Sequence, residues 1–257
     1  MQFLAPYPLV GVGSFALHFH PDHLADLRKS GLADDTIRAA GVYSLRPADL
    51  APFFDLRRGV PAEIESALCF PYQGGDFSRI KLFPALGKMK YSQPPRTGAR
   101  LYLPFPVTAD RLYVVEGEKK TLAAWQMGLN AIGIGGVWNW LSHGQTIDDI
   151  GRVNWGGRDV CIVGDSDIWQ RTDLLRALYA LGAELVGLGA RVDYLELPRG
   201  EEKVGLDDFL VAGGDLDSCP IHSLRSKVMA RQRLWHQGWM ARRTIAQIGG
   251  QGETTQE

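Results

Sequence analysis

"RLYVVEGEKKTLAAWQMGLNAIGIGG", Arg111–Gly136, decides the fold. Its opening run, "RLYVVE", is short, apolar and β-branched, and it stops at a carboxylate, Glu116. Gly117 follows, and "KKTLAAWQMG" then has the length and spacing of a helix closed by Gly128. "NAIGIGG" is a second short buried strand. Strand, helix and strand in this order make the repeating unit of a parallel sheet.

The alternation continues downstream. "RDVCIVGDSD" (Arg158–Asp167) is a strand, "RTDLLRALYALGAELVGLG" (Arg171–Gly189) a long helix, and "RVDYLELP" (Arg191–Pro198) another strand. Parallel strands require right-handed crossovers, and chemistry on such sheets sits beyond the carboxyl ends of the strands. Upstream the texture differs. Residues 21–41 predict two short helices around Ser30-Gly31, with Leu24, Leu27, Leu32 and Ile37 facing inward. "ALCFPY", "FSRIKLFP", "KYSQPP" and "RLYLPF" predict a small antiparallel β region. The expected organisation is a helical region (1–62), a small basic β region (63–108), an α/β domain (109–213) and a basic tail (214–257). The tail reads as helical through Trp239, then frays into "GGQGETTQE".

Two of the predicted strands end in acids: Glu116 on one, Asp165 and Asp167 on the other. Residues two apart in an extended segment point to the same face. If the strands are neighbours, three carboxylates converge, and their repulsion calls for a divalent cation or a retained proton. All-oxygen ligands suit Mg2+ or Mn2+. Gly117 and Gly164 would let the backbone turn tightly and a phosphate approach. A lone "VVEG" reads equally well as a helix cap, and a lone DxD is common. Both together at the strand ends of one alternating segment favour the metal site.

Composition bounds the partners. The chain has 257 residues, 45% apolar and 22% charged, with a net charge of −1, as in an ordinary globular protein. No apolar run approaches the ~18–20 residues needed to cross a bilayer, so no membrane partner is expected. The opening "MQFLAPYPLVGVGSFALHFH" lacks the basic start of a secretion signal. Cys69, Cys161 and Cys219 are scattered and form no CxxC pair, which fits a reducing cytoplasm. Charge is unevenly distributed. Arg79, Lys81, Lys88, Lys90, Arg96 and Arg100 lie in a stretch without acids, as do Arg225, Lys227, Arg231, Arg233, Arg242 and Arg243. Each stripe reads equally as a phosphate track or as solvated surface.

With these residues in place, about Arg111 to Leu210 resembles the TOPRIM domain of bacterial-type primases, topoisomerases and some nucleases. "VVEGEKKTLAAWQMGLNAIGIGGVWNW", "VCIVGDSD" and "KVGLDDFL" are similar to the TOPRIM-like domain of phage- and plasmid-borne primases and primase-helicases. "HLADLRKSGLADDTIRAAGVYSL", "CFPY" and "KYSQPP" resemble the segment preceding it. The resemblance implies a Rossmann-like fold, a mainly parallel sheet with flanking helices, behind a small α+β N-terminal region. It also implies Mg2+- or Mn2+-dependent nucleotidyl transfer: primer synthesis from nucleoside triphosphates on a single-stranded DNA template.

On that resemblance Asp165 and Asp167 are metal ligands, and Glu116 is a ligand or the general base for a 3′-hydroxyl. Asp207 and Asp208, from the late acidic motif, are expected to join the metal site. Lys119 and Lys120 contact phosphate or form a solvated helix face. Arg79, Lys81, Lys88, Lys90, Arg96, Arg100 and Gly117 face nucleotide or template, and Tyr91 offers a stacking surface. Phe83 reads first as a core aromatic. The three cysteines cannot build the zinc ribbon of bacterial replicative primases, and no GxxxxGK[ST] supplies a helicase motor. A stand-alone core, a fragment, or a partner of a separate helicase or DNA-binding subunit all fit. The alternatives are a TOPRIM nuclease, in which the same acids activate water, and a nucleic-acid-binding accessory module with a vestigial site.

Three other motifs compete. "HFHPDH" (His18, His20, Asp22, His23) has zinc-ligand spacing, but it runs into a helix for which Pro21 suits the first turn and Asp22 the dipole. "GVGSFA" (Gly11–Ala16) matches a dinucleotide fingerprint without the helix that motif opens. "GIGGVWNW" (Gly133–Trp140) reads as a tight turn packed by tryptophans or as a loop beside the site.

Overall fold

The computed structural model describes residues 19–55, 57 and 59–250, with 244–250 in backbone alone. The chain begins with α1 (Pro21–Lys29), where the Asp22 amide donates to the His20 ring at 3.3 Å and Pro21 occupies the first turn. Helix α2 (Asp34–Ala39) follows. Then come β1 (Tyr43–Leu45), β2 (Ser66–Pro71), β3 (Ser78–Leu86) and β4 (Met89–Ser92), an antiparallel sheet in that order. Period-two alternation explains the packing: Ala67 and Cys69 of β2 pack with Leu50, Ile80 and Leu82. Leu68 and Phe70 join Leu24, Leu27 and Ile37 of the helices.

His23 sits inside this region, hydrogen-bonded to Ser44 Oγ (2.8 Å) and Ser66 Oγ (3.0 Å), with its ring centroid 4.3 Å from that of Phe83 and the planes tilted by 47°. It is a satisfied core histidine. Burial, then the neighbouring His20, lowers its pKa to about 4. The unfolded chain, with an ordinary histidine, binds more protons between that value and neutrality. Stability is therefore full above pH 6.5 and falls as the pH drops toward 4, by about 2–3 kcal/mol. Urea midpoints at pH 7 and pH 4.5 measure the difference, and His23→Gln should flatten it. Of the other "HFHPDH" residues, His18 lies outside the described residues, as does "GVGSFA".

The larger sheet contains β5 (Leu101–Tyr102), β6 (Arg111–Glu116), β7 (Ala131–Ile134), β10 (Asp159–Val163), β11 (Arg191–Leu195) and β12 (Ile221–Ser223). Between β6 and β7 lies α3 (Glu118–Gln126). The small hairpin β8 (Leu141–Ser142)–β9 (Gln145–Thr146) and α4 (Asp148–Arg152) precede β10. Next come α5 (Thr172–Gly187), α6 (Leu206–Val211) and α7 (Ala230–Gly250). Strand order is β12-β11-β10-β6-β7-β5, with the inner four strands parallel and the edge strands antiparallel. This is the expected mainly parallel α/β sheet. Leu112, Val114, Val160, Ile162, Val192 and Tyr194 face α5. Their alternates Val115, Cys161, Val163 and Leu195 face Ala124 of α3 and Leu206 of α6. Each fully buried aliphatic side chain of this kind contributes roughly 1.5–3 kcal/mol.

Some boundaries are finer than composition suggests. Strand β1, within 1–62, pairs with β2, and β5, within 63–108, extends the larger sheet. Helix α7 does not fray after Trp239 but continues to Gly250. Trp235 and Trp239 pack against each other (5.6 Å) and against Trp138 (6.3 Å each), which anchors the first half of the helix. Residues 251–257 lie outside the described residues. Among the described residues no helix is long and apolar enough to cross a membrane.

Candidate metal and nucleotide site

The chain leaves β6 to form β7 on one side and returns to form β10 on the other. The crevice between β6 and β10 is thus the topological switch point, where open α/β sheets bind ligands. Register sets what stands there. Val115 is opposite Val163, so Glu116 and the Gly164-Asp165 step leave the sheet side by side. Asp165 is buried, at 2% exposure. Lys120, from the first turns of α3, is ion-paired with its Oδ1, and Lys203, from the loop before α6, with its Oδ2. Ser166 ties that loop down: its amide donates to the Val204 carbonyl and its Oγ accepts from the Val204 amide, both at 2.9 Å.

Electrostatics at the three carboxylates are tightly linked. Burial raises the Glu116 carboxyl, Asp165 and Asp167 add to the rise, and Lys120 and Lys203 oppose it. Burial alone would lower Lys203, but Asp165, Asp167 and Glu116 hold it above the usual lysine value. Asp167 Oδ1 is buried without a hydrogen-bond partner, and its Oδ2 lies 3.8 Å from Arg171 Nη1.

The two glycines of the strand ends do different work. Gly117, the residue before α3, has φ 97° and ψ 154°, a region open essentially to glycine alone. Its amide donates to the Ile134 carbonyl at 2.8 Å, and nothing crowds its Cα. Gly117→Ala is therefore a pure backbone penalty, expected to cost about 1–3 kcal/mol in a urea titration. Gly164 is a packing glycine instead. A Cβ there would lie 2.6 Å from Ile168 Cδ1 and 2.9 Å from Leu178 Cδ1, so its role is close packing and not phosphate access.

Several residues expected at the site are engaged elsewhere. Lys119 turns away from the carboxylates to Asp26 of α1, with Nζ 3.1 Å from Oδ2. Lys81 also reaches Asp26, at 2.6 Å from Oδ1. Arg79 is mostly buried, donates to Glu118 Oε1 at 3.1 Å and lies over the Tyr91 ring at 4.7 Å. Arg79 thus ties the N-terminal sheet to α3, Lys81 ties it to α1, and Arg79 covers one face of Tyr91. Asp207 Oδ2 accepts from Ser30 Oγ at 2.6 Å, and Asp208 accepts from the Gly205 amide at 3.1 Å, capping α6. Neither acid is added to the trio. Arg100 is half-buried beside Asp76 and the Phe77 ring. Lys88, Lys90 and Arg96 are exposed. Phe83 packs in the core beside His23.

Among the described residues no three His, Cys, Asp or Glu side chains stand gathered as a ready ligand set. Ammonium groups meet both Asp165 oxygens. The donor chemistry nevertheless fits Mg2+ or Mn2+. Three carboxylates lie at adjacent strand ends, and Asp167 keeps a buried oxygen without a partner. Glu116, Asp165 and Asp167 are the residues that would hold such an ion, with Asp165 freed from a lysine.

Two residues escaped the sequence reading. Lys203 sits alone in a polar loop, with proximity to "GLDDFL" as its one signal. Glu118, at 1% exposure, accepts from Tyr72 Oη (2.8 Å) and from Arg79, and its acidity directly after "VEG" hides its burial.

Comparison with known proteins places this geometry. The family described as "Domain of unknown function (DUF3854)" matches residues 108–216. No curated protein matches. Among solved structures, the RNA polymerase domain of Mycobacterium tuberculosis primase DnaG, bound to a double-stranded DNA oligomer with a 6-nucleotide overhang, is similar with a TM-score of 0.53 at 15% identity. That match covers 92% of this chain and 88% of the other. The DnaG catalytic core gives 0.50 at 18% identity, over 78% and 74% of the two chains. The mycobacterial domain with the double-stranded DNA GACCGGAAGTGG gives 0.50 at 16% identity, over 79% and 74%. The likeness is one of fold: this chain carries the mixed α/β architecture, a mainly parallel sheet with flanking helices, of DnaG primase catalytic domains.

Proposed function

We propose that the protein is a metal-dependent, primase-type nucleotidyltransferase that builds primers on single-stranded DNA, of the TOPRIM kind carried by phages and plasmids. The observation that carries this reading is the juxtaposition of Glu116 with Asp165 and Asp167 at the switch point of the sheet. Similarity of fold to domains solved with DNA supports it.

In this reading Glu116, Asp165 and Asp167 hold Mg2+ or Mn2+. The ion supplies charge neutralisation at the transferring phosphoryl group. As the alternative to ligating the ion, with Asp165 and Asp167 holding it, Glu116 is placed to accept the proton of the attacking 3′-hydroxyl. Lys120 offsets negative charge beside the reacting phosphate as a point charge. Gly117 fixes the direction in which Glu116 leaves β6. Exposed Lys88, Lys90 and Arg96 guide the template strand.

Incubation with single-stranded DNA, four ribonucleotides and Mg2+ or Mn2+ tests the reading. Short RNA products are expected. Cleavage of the template would instead assign the same acids to water activation, and the absence of both would contradict the proposal.

A further inference from the structure

We infer that Lys203 is an exchangeable counter-cation: it holds Asp165 Oδ2 until a divalent ion takes that oxygen, and it then carries its ammonium to the phosphates of a nucleoside triphosphate. The inference rests on the nucleotidyl-transfer reading and assigns this site a residue of its own for the phosphates.

Three observations carry it. First, Asp165 is paired by both oxygens, so an ion can bind it only if one lysine leaves. Second, the two lysines differ in freedom. Lys120 projects from α3 and its side chain is 19% exposed, whereas Lys203 lies on a loop and is 55% exposed. The more exposed lysine re-enters water at lower cost, so Lys203 is the one that leaves. Third, its backbone does not have to move. Val204, the next residue, is held at both its amide and its carbonyl by Ser166, which lies between Asp165 and Asp167. The displaced ammonium, on a four-carbon stem rooted beside the carboxylates, stays at the mouth of the crevice. There a triphosphate held on the ion is its nearest strong anion.

The exchange also keeps the carboxylates compensated. Lys120 and Lys203 are ion-paired with Asp165, so the metal-free site is not left as three uncompensated carboxylates. When the ion replaces the lysine, the carboxylates remain matched and the lysine is free for the incoming anion.

Titration calorimetry on the full chain with MnCl2 alone, at fixed pH and ionic strength, tests this. Lys203→Gln should bind Mn2+ roughly fivefold more tightly than wild type, because the competing cation is gone. Lys203→Arg, which keeps a cation, should stay near wild type, and circular dichroism should show all variants folded. At saturating Mn2+, Lys203→Gln should bind ATP roughly fivefold more weakly. Equal Mn2+ affinity in wild type and Lys203→Gln would overturn the exchange while leaving the carboxylate site standing. Unchanged ATP affinity would overturn the handover to phosphate. Wild type that binds no Mn2+, or Asp165→Asn that binds it equally, would overturn the site itself.

Discussion

Asp165→Ala should remove metal-dependent primer synthesis, by ~10³-fold or more, while the protein stays folded. The activity loss follows from position. Asp165 is the buried member of the trio, the only one of the three with an ion pair on each oxygen, and it lies beside Glu116 across the β6–β10 pairing. Without it a bound ion would lose a central ligand, and Lys120 would lose the partner that orients it. The effect on stability is mixed. The substitution relieves repulsion among three carboxylates, and Lys203, 55% exposed, can return to water. Lys120, 19% exposed, loses its buried partner, so a loss of about 1–3 kcal/mol is expected. Asp165→Asn should behave alike in activity, because it keeps the shape and removes the charge. Glu116→Ala should be comparably inactive. A cooperative melting curve, lowered by no more than a few kcal/mol of stability, beside a null activity assay is the expected pair of results.

Glu118→Ala should show the reverse pattern, a loss of stability at a residue that touches no reactant. Glu118 is buried at the start of α3, and its Oε1 accepts from both Tyr72 and Arg79. Arg79 is 14% exposed and would be left without its carboxylate. Breaking a buried pair from one side costs about 3–5 kcal/mol, because the remaining charge is stranded. Urea unfolding should register this as a lowered midpoint. Arg79→Leu combined with Glu118→Leu should recover much of the loss, since a buried pair replaced by apolar groups is often near neutral. A double variant as unstable as Glu118→Ala would mean that the Tyr72 contact, and not the stranded arginine, sets the cost. Because Glu118 lies one residue from Gly117, it also fixes the first turn of α3 against the N-terminal sheet, and with it the exit of Glu116.

These two residues show where the sequence was legible. Glu116 and Asp165 were conspicuous in the sequence because each stands at or just past the end of an apolar strand. The pairing of β6 with β10 was only a condition of that reading, and Asp167 lies in the short 3-10 turn Ser166–Trp169 and not in the extended segment expected for it. Gly117 was legible for the same reason, since a strand that must turn at once into a helix needs an unusual backbone angle. Arg79, Lys81 and Lys119 were not. Their partners Glu118 and Asp26 lie 39, 55 and 93 residues away, and together they make an ion-paired seam linking β3 with helices α1 and α3. Asp208 looked like a site carboxylate because caps and ligands use the same side chain near a helix start. Lys203 carried no periodic signal, and only the pinning of its loop by Ser166 brings it to Asp165. The packing of Trp235 and Trp239 on Trp138 joins residues about a hundred positions apart, which local pattern does not reveal.

The central claim is that the switch-point carboxylates run metal-dependent nucleotidyl transfer, and removing and restoring the ion tests it most directly. Protein stripped with EDTA is mixed with single-stranded DNA and labelled ribonucleotides, and product is followed as Mg2+ or Mn2+ is added back. The account predicts no RNA in EDTA, saturable recovery with the ion, and no recovery in Asp165→Ala. Synthesis in EDTA, or full recovery in Asp165→Ala, would contradict it.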